Sequence, residues 1–150
     1  MRQVYLVSSC LAGKNCAYDG KSRSNSAVLS FLEGTQYIDL CPELVAGLSS
    51  PREKHEITGG TGRDVLEGRA KVLSESGKDM TEDFIRSAKE VLRQAEEAGV
   101  TDAILKARSP SCGKGRIYDG SFTSTLRSGN GVTAELFEQS GINILTGEEI

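Results

Sequence analysis

The sequence predicts an α/β fold: a three-layer, Rossmann-like sandwich with a mostly parallel sheet of four to five strands and helices on both faces. Three observations predict it. Short apolar runs of β type alternate with segments of helical period, and that alternation favours a parallel sheet covered by helices. The length of 150 residues suits one domain, residues 1–150, with a single sizeable core. No internal repeat, low-complexity tract or linker divides the chain.

Each element follows from local signals. Val4-Tyr5-Leu6-Val7 is the first strand. A helix runs from Asn25 to Leu32, with Ala27, Val28, Phe31 and Leu32 on one face and Gly34 ending it. Tyr37–Leu40 is the second strand, and Pro42 in a first turn opens a short helix over Glu43–Leu48. Residues 49–79 read as irregular and glycine-rich, with turns at Glu67-Gly68 and Ser76-Gly77 and a short strand over Ala70–Leu73. The clearest helix covers Glu82–Ala98. Phe84, Ala88, Val91, Ala95 and Ala98 form its apolar stripe, with Ile85 and Leu92 beside it. Thr81 is placed to cap its start and Gly99 its end. Thr101–Leu105 is a third strand and 106–130 a long polar loop. Val132–Gln139 is the last helix and Ile142–Leu145 a fourth strand.

Composition narrows the function. Hydrophobic residues make up 37% and charged residues 26%, the balance of a globular chain. Eighteen Lys and Arg against 21 Asp and Glu give a net charge of -3, which argues against a nucleic-acid partner. Aromatics are 5% with no Trp, too few for a base-stacking platform. No apolar run spans a bilayer, and the start, Met1-Arg2-Gln3, does not open a secretory signal. A cytoplasmic protein without a membrane partner is expected. There, four cysteines with no C-x-x-C pair point to metal binding or catalysis, or else to unrelated buried thiols.

Placing the cysteines on the strands favours the first reading. Cys10 follows the first strand by two residues, Cys41 follows the second directly, and Cys112 lies in the loop after the third. Strand ends of an open parallel sheet carry its ligand sites, so three distant thiols share one rim. Cys16 lies in the first loop on the same side. Convergent thiolates suit an iron–sulfur cluster or zinc. Common zinc modules pair their ligands two to four residues apart, which these do not, so iron–sulfur is favoured and zinc is the fallback. Three cysteines would leave one iron of a cubane open, and an open iron is a Lewis acid for a substrate atom. Closure by Cys16 would make the cluster structural or electron-transferring. The excess among the 17 glycines falls in the same loops, around Gly13, Gly20, Gly113, Gly115 and Gly120, where backbone would pass close to a cofactor, although glycine also serves turns there.

Three motifs then carry a resemblance. They are Val7-Ser8-Ser9-Cys10-Leu11-Ala12-Gly13 with Tyr18-Asp19-Gly20; Cys41-Pro42-Glu43 with Gly47-Leu48 and Pro51-Arg52; and Lys106-Ala107-Arg108-Ser109-Pro110-Ser111-Cys112-Gly113 with Ile117-Tyr118-Asp119-Gly120. Gly131-Val132-Thr133-Ala134 and Gly141-Ile142 also fit. Over nearly its whole length the chain resembles the thiouracil desulfidase family. The resemblance implies an oxygen-sensitive, non-redox enzyme with a [4Fe-4S] cluster held by three cysteines, matched here by Cys10, Cys41 and Cys112. It implies removal of sulfur from 2- or 4-thiouracil, or a thiolated nucleotide such as thio-UMP, giving the oxo-pyrimidine and sulfide. The family's glutamate matches Glu43, and its serine matches Ser109, with Ser111 the alternative. Other members carry Pro-Val-Arg-Tyr/Phe-Asp-Gly where Cys16 stands, so Cys16 lies near the open iron, ligates it or does neither.

The chemistry fits these residue types. Hydrolysis of C=S needs a soft acceptor for sulfur, a base for water and a proton donor. Glu43 suits the base, against a plain role at a helix N-terminus. Ser109 suits substrate orientation or proton relay, against a turn role before Pro110. Asp19 and Asp119 each sit in a Tyr-Asp-Gly turn, and Asp19, sharing the Cys10 loop, is the candidate for substrate contact. Lys106, Arg108, Lys114 and Arg116 surround Cys112, either as a solvated loop that offsets cluster charge or as a phosphate clamp. His55, the one histidine, reads as a surface residue. The rival functions are a zinc- or cluster-stabilised binding module without catalysis, and a thiol redox protein using Cys10 and Cys16.

Overall fold

Short apolar strands and amphipathic helices build the architecture of this computed structural model, which describes residues 3–150. Met1 and Arg2, cited above for the absence of a secretory signal, lie outside the described residues. The first half contains β1 (Tyr5–Ser8), α1 (Ser26–Leu32), β2 (Tyr37–Leu40), α2 (Pro42–Val45), β3 (His55–Thr58), α3 (Gly62–Leu66) and β4 (Lys71–Ser74). The second contains α4 (Thr81–Glu97), β5 (Asp102–Leu105), β6 (Arg116–Tyr118), β7 (Leu126–Ser128), α5 (Val132–Gln139), β8 (Asn143–Thr146) and a closing 3₁₀ turn, Gly147–Glu149.

Four strands form one parallel sheet in the order β2-β1-β5-β8. Leu6 sits between Ile38 and Ala103 in register. Alternate residues serve opposite faces, as the strand period requires. Leu6, Ala103 and Leu105 join Val91 and Ala95 of α4 and Phe137 of α5 in one core cluster. Val7 and Ile104 join Val28 and Leu32 of α1 in another. Helices thus cover both faces, the three layers that the sequence predicts.

The helix ends show how local chemistry sets boundaries. Asn25 caps α1, its side-chain oxygen accepting the Val28 N–H at 2.9 Å. Thr81 is not the cap of α4. It is the first helical residue, and Asp79 Oδ1 accepts its N–H at 3.0 Å. The Thr81 hydroxyl is occupied elsewhere, accepting the Val72 N–H at 3.0 Å. The helix after Cys41 stops at Val45 rather than Leu48, because Gly47 turns to φ 93.

Residues 49–79 hold more than the one strand expected over Ala70–Leu73, seen here as Lys71–Ser74. His55–Thr58 and Lys71–Ser74 pair antiparallel, with α3 between them. A third core cluster fills behind this pair, joining Ile57, Val65, Val72, Phe84, Ile117 and Val132. The long loop after β5 likewise contains an antiparallel pair, β6 with β7. These strands are four and three residues long and mix charged with apolar side chains, so no clean alternation marks them in sequence.

Candidate functional site

The sheet order places the site. The chain leaves β1 for β2 on one side and returns with β5 on the other, so the loops after β1 and β5 diverge and open a crevice at the strand ends. A cavity of about 490 Å³ opens there. Cys10, Cys16, Cys41 and Cys112 all line it, and all four are free thiols. Ser8, the last residue of β1, ties the walls together. It accepts the Lys106 N–H at 2.9 Å and donates to Cys112 Sγ at 3.2 Å. Cys41 Sγ lies 3.9 Å from the Cys16 carbonyl oxygen.

Burial and the neighbouring thiols hold Cys10, Cys16 and Cys112 protonated in the absence of a cation. Burial pushes Cys10 up to about 12, with Cys112, Cys16 and Cys41 adding to the rise and Lys106 opposing it. Cys16 is likewise pushed up to about 12 by burial and by Cys41, with Arg52 opposing. Burial raises Cys112 to about 11, partly offset by the Ser8 hydrogen bond. A cationic metal centre reverses this balance, since a coordinating thiol is deprotonated outright. Among the described residues, no group of three or more His, Cys, Asp or Glu side chains is gathered for a single metal ion. One zinc would need its sulfurs drawn to ~2.3 Å from a common point. Sulfur donors are the soft ligands that iron–sulfur clusters and zinc both take.

Glu43, on the first turn of α2, enters the same cavity. Its Oε1 accepts Arg52 Nε at 3.0 Å, and its Oε2 accepts the Ser111 hydroxyl at 3.3 Å. The pair is shielded, with side chains 13% and 6% exposed for Glu43 and Arg52. Arg52 Nη1 also donates to the carbonyls of Cys16 at 2.9 Å and Ser49 at 3.0 Å. The hydroxyls of Ser111 and Ser109 lie 3.4 Å apart, and Ser109 Oγ accepts the Cys112 N–H at 2.7 Å. Polar atoms therefore run from Arg52 through Glu43, Ser111 and Ser109 to the backbone of Cys112.

The cationic residues divide. Lys106 and Arg108 line the cavity, whereas Lys114 and Arg116 do not. Arg108 is held by a two-pronged bond to Glu148, at 3.1 and 2.8 Å, and Lys114 pairs with Glu149 at 3.0 Å. Lys106 Nζ donates to the Ala107 carbonyl at 2.8 Å and has no carboxylate partner within 4.0 Å among the described residues. Burial, aided by Arg108, pushes its pKa down. Asp19 stays outside the cavity lining and grips Arg23, which lines it, at 3.1 and 3.0 Å. Asp119 lies outside as well, accepting the Ser121 N–H at 2.9 Å in a turn.

One reading of the sequence needs correction. His55 is not on the surface: it is 7% exposed, lines the cavity and packs its ring 5.6 Å from that of Phe84. Its place on β3, a strand hidden in the irregular stretch, puts it there. Among the loop glycines, Gly113 has a packing role. A Cβ at Gly113 would meet the Ser109 carbonyl oxygen at 2.7 Å and Ile117 Cγ2 at 2.8 Å, so that glycine serves the packing of the loop on itself. Arg52, Lys54, Glu56, Tyr118 and Phe122 also line the cavity without having been assigned a role. For Arg52 the signal was present, in the Pro51-Arg52 pair that follows the Cys-Pro-Glu motif.

Three comparisons bear on this site. The family model described as 2-thiouracil desulfurase matches residues 5–149. An uncharacterized protein, YbbK, of Bacillus subtilis (strain 168) is 43% identical over 147 residues, covering 98% of this chain and 97% of that protein. A solved structure of the [4Fe-4S]-dependent thiouracil desulfidase TudS is similar with a TM-score of 0.85 and 36% identity, covering 99% of this chain and 93% of that one. A cavity ringed by thiols, a fold shared with a desulfidase and a family match from β1 to the closing turn lead to one conclusion: the chain belongs to the 2-thiouracil desulfurase family.

Proposed function

We propose that the protein hydrolyses a thiolated pyrimidine of the 2- or 4-thiouracil or thio-UMP type to the oxo-pyrimidine and sulfide. Cys10, Cys41 and Cys112 hold a [4Fe-4S] cluster in this reading, and Cys16 stands beside it. When bound, that cluster supplies a soft Lewis acid with one open position for sulfur. The observation that carries the proposal is the bonded run Arg52–Glu43–Ser111–Ser109–Cys112, which joins a shielded carboxylate to the backbone N–H of a proposed ligand cysteine across one cavity.

The chain's own residues do the proton work. Glu43 Oε2 takes a proton from water as oxygen adds to the ring carbon bearing sulfur. Arg52 fixes the carboxylate through Oε1 and leaves Oε2 to face Ser111. Ser109 receives a backbone N–H, so its own hydroxyl proton is available to the substrate or to Ser111. Water plus thiocarbonyl gives carbonyl plus hydrogen sulfide, with no net change in oxidation state. At the mouth, Lys106 and Arg108 face an anionic substituent such as a phosphate, while Asp19 acts through Arg23, holding that guanidinium at the rim.

Anaerobic reconstitution followed by a sulfide-release assay tests this reading. About four irons per chain and sulfide from 2-thiouracil, 4-thiouracil or thio-UMP are expected. A protein that loads no iron, or loads it and releases no sulfide from any of the three, overturns it. Lys106→Ala should raise KM for thio-UMP more than for the free base; equal effects would remove the phosphate role.

A further inference from the structure

We propose that Phe122 is the wall on which the flat substrate ring stacks, and that buried Glu56 is the positioning residue that holds Phe122 there. The inference rests on the desulfidase reading and adds to it a specificity-determining contact. It begins with backbone geometry. Among the described residues only Arg108, Phe122 and Ser124 are non-glycine residues at positive φ, at 70, 57 and 61°. All three line the cavity. Such conformations are uncommon for bulky side chains and persist only where surroundings impose them.

Glu56 imposes it on Phe122. This carboxylate is 5% exposed, and its Oε1 accepts the N–H groups of Gly120 at 2.9 Å and Phe122 at 3.1 Å. Buried carboxylates require such partners, so β3 and the β6–β7 loop fix each other. Gly120 seats the loop directly on the strand. It holds φ 94, and a Cβ there would meet the Ile57 carbonyl oxygen at 2.6 Å. Asp119 tightens the same turn through the Ser121 N–H at 2.9 Å.

The half-buried ring so placed stands outside the three core clusters. Phe31, Phe84 and Phe137 each pack with a core cluster, and Phe122 packs with none. The rest of the lining mixes thiols, hydroxyls and charges with small apolar groups such as Leu11, Pro42 and Pro110, and its other rings are those of Tyr18, His55 and Tyr118. A planar heteroaromatic ring finds in Phe122 an apolar face held in one orientation, and stacking is tolerant of ring substituents.

The test uses the cluster-loaded protein, with 2-thiouracil turnover and, separately, calorimetric binding of uracil. Phe122→Ala should raise KM about tenfold, the scale of one lost base-aromatic stack, with the loss falling on KM rather than kcat. Phe122→Tyr, which keeps a ring, should recover KM. Glu56→Ala should raise KM as Phe122→Ala does and speed hydrogen exchange at the Gly120 and Phe122 amides. Glu56→Gln keeps an acceptor oxygen and should restore both. The double variant should be no worse than Phe122→Ala. A wild-type KM in Phe122→Ala, or a loss confined to kcat, overturns the proposal. If wild type releases no sulfide, the desulfidase reading fails and uracil binding decides the wall: weaker binding in Phe122→Ala upholds it, and equal or undetectable binding overturns it.

Discussion

Glu43 and Arg52 show how a candidate catalytic group is marked out by its neighbours. A carboxylate on the first turn of a four-residue helix has an ordinary explanation in the helix dipole. Its bonds to Arg52 and Ser111 inside the cavity give it a chemical one. Glu43→Gln should lower kcat for sulfide release by about 10²–10⁴-fold while iron content stays at the wild-type level; turnover close to wild type would remove Glu43 as the base. His55 supplies a pH test. Burial holds its pKa below 6.5, so the unfolded chain binds a proton first as pH falls. The stability is complete above pH 6.5 and lost as pH drops through the folded value. Thermal melts across that window should show Tm falling toward acid, and His55→Gln should flatten the fall. Cys10, Cys41 and Cys112 were legible because each follows an apolar strand. His55 was not, because its burial comes from Phe84 on a helix far along the chain.

At the scale of elements, legibility followed hydrophobic pattern. The four parallel strands are apolar runs covered on both faces, which such sheets require, and α4 carries a long apolar stripe. Of the pair β3 and β4, the second was legible as the short strand expected over Ala70–Leu73, whereas β3 escaped notice because it belongs to no such pattern. Glu56 on β3 is buried by amides 64 and 66 positions downstream, a partnership that no local window contains. Capping was legible only where the side chain reaches its own helix. Asn25 does so, and it also lines the cavity. Asn25→Ala should cost ~1 kcal/mol in denaturant unfolding, and no loss would show that α1 is held by its packing on Val7 and Ile104 alone.

For the molecule as a whole, the site is a junction of separate core clusters. Cys112 packs with the cluster of α4 and α5, and Cys10 and Cys16 with that of α1. A cofactor spanning these thiols therefore bridges both faces of the sheet. Any ligand bound only by the folded state stabilises it by mass action. Cluster-loaded protein should resist guanidinium further than the metal-free form under anaerobic conditions, and Cys112→Ser should abolish that difference. Equal midpoints with and without iron would show that the two halves of the core need no bridge.

The bond between Ser8 and Cys112 spans 104 positions of sequence. It sets an order of events during synthesis on the ribosome. The first strand, Cys10, Cys16 and Cys41 emerge early, yet their partner strand and the fourth thiol arrive only after the long helix α4 has been made. Contacts of such separation close late in folding. A growing chain short of Cys112 carries three of its four thiols and an incomplete cavity wall. On the proposed cluster reading, loading of the cofactor would wait until translation has passed this residue.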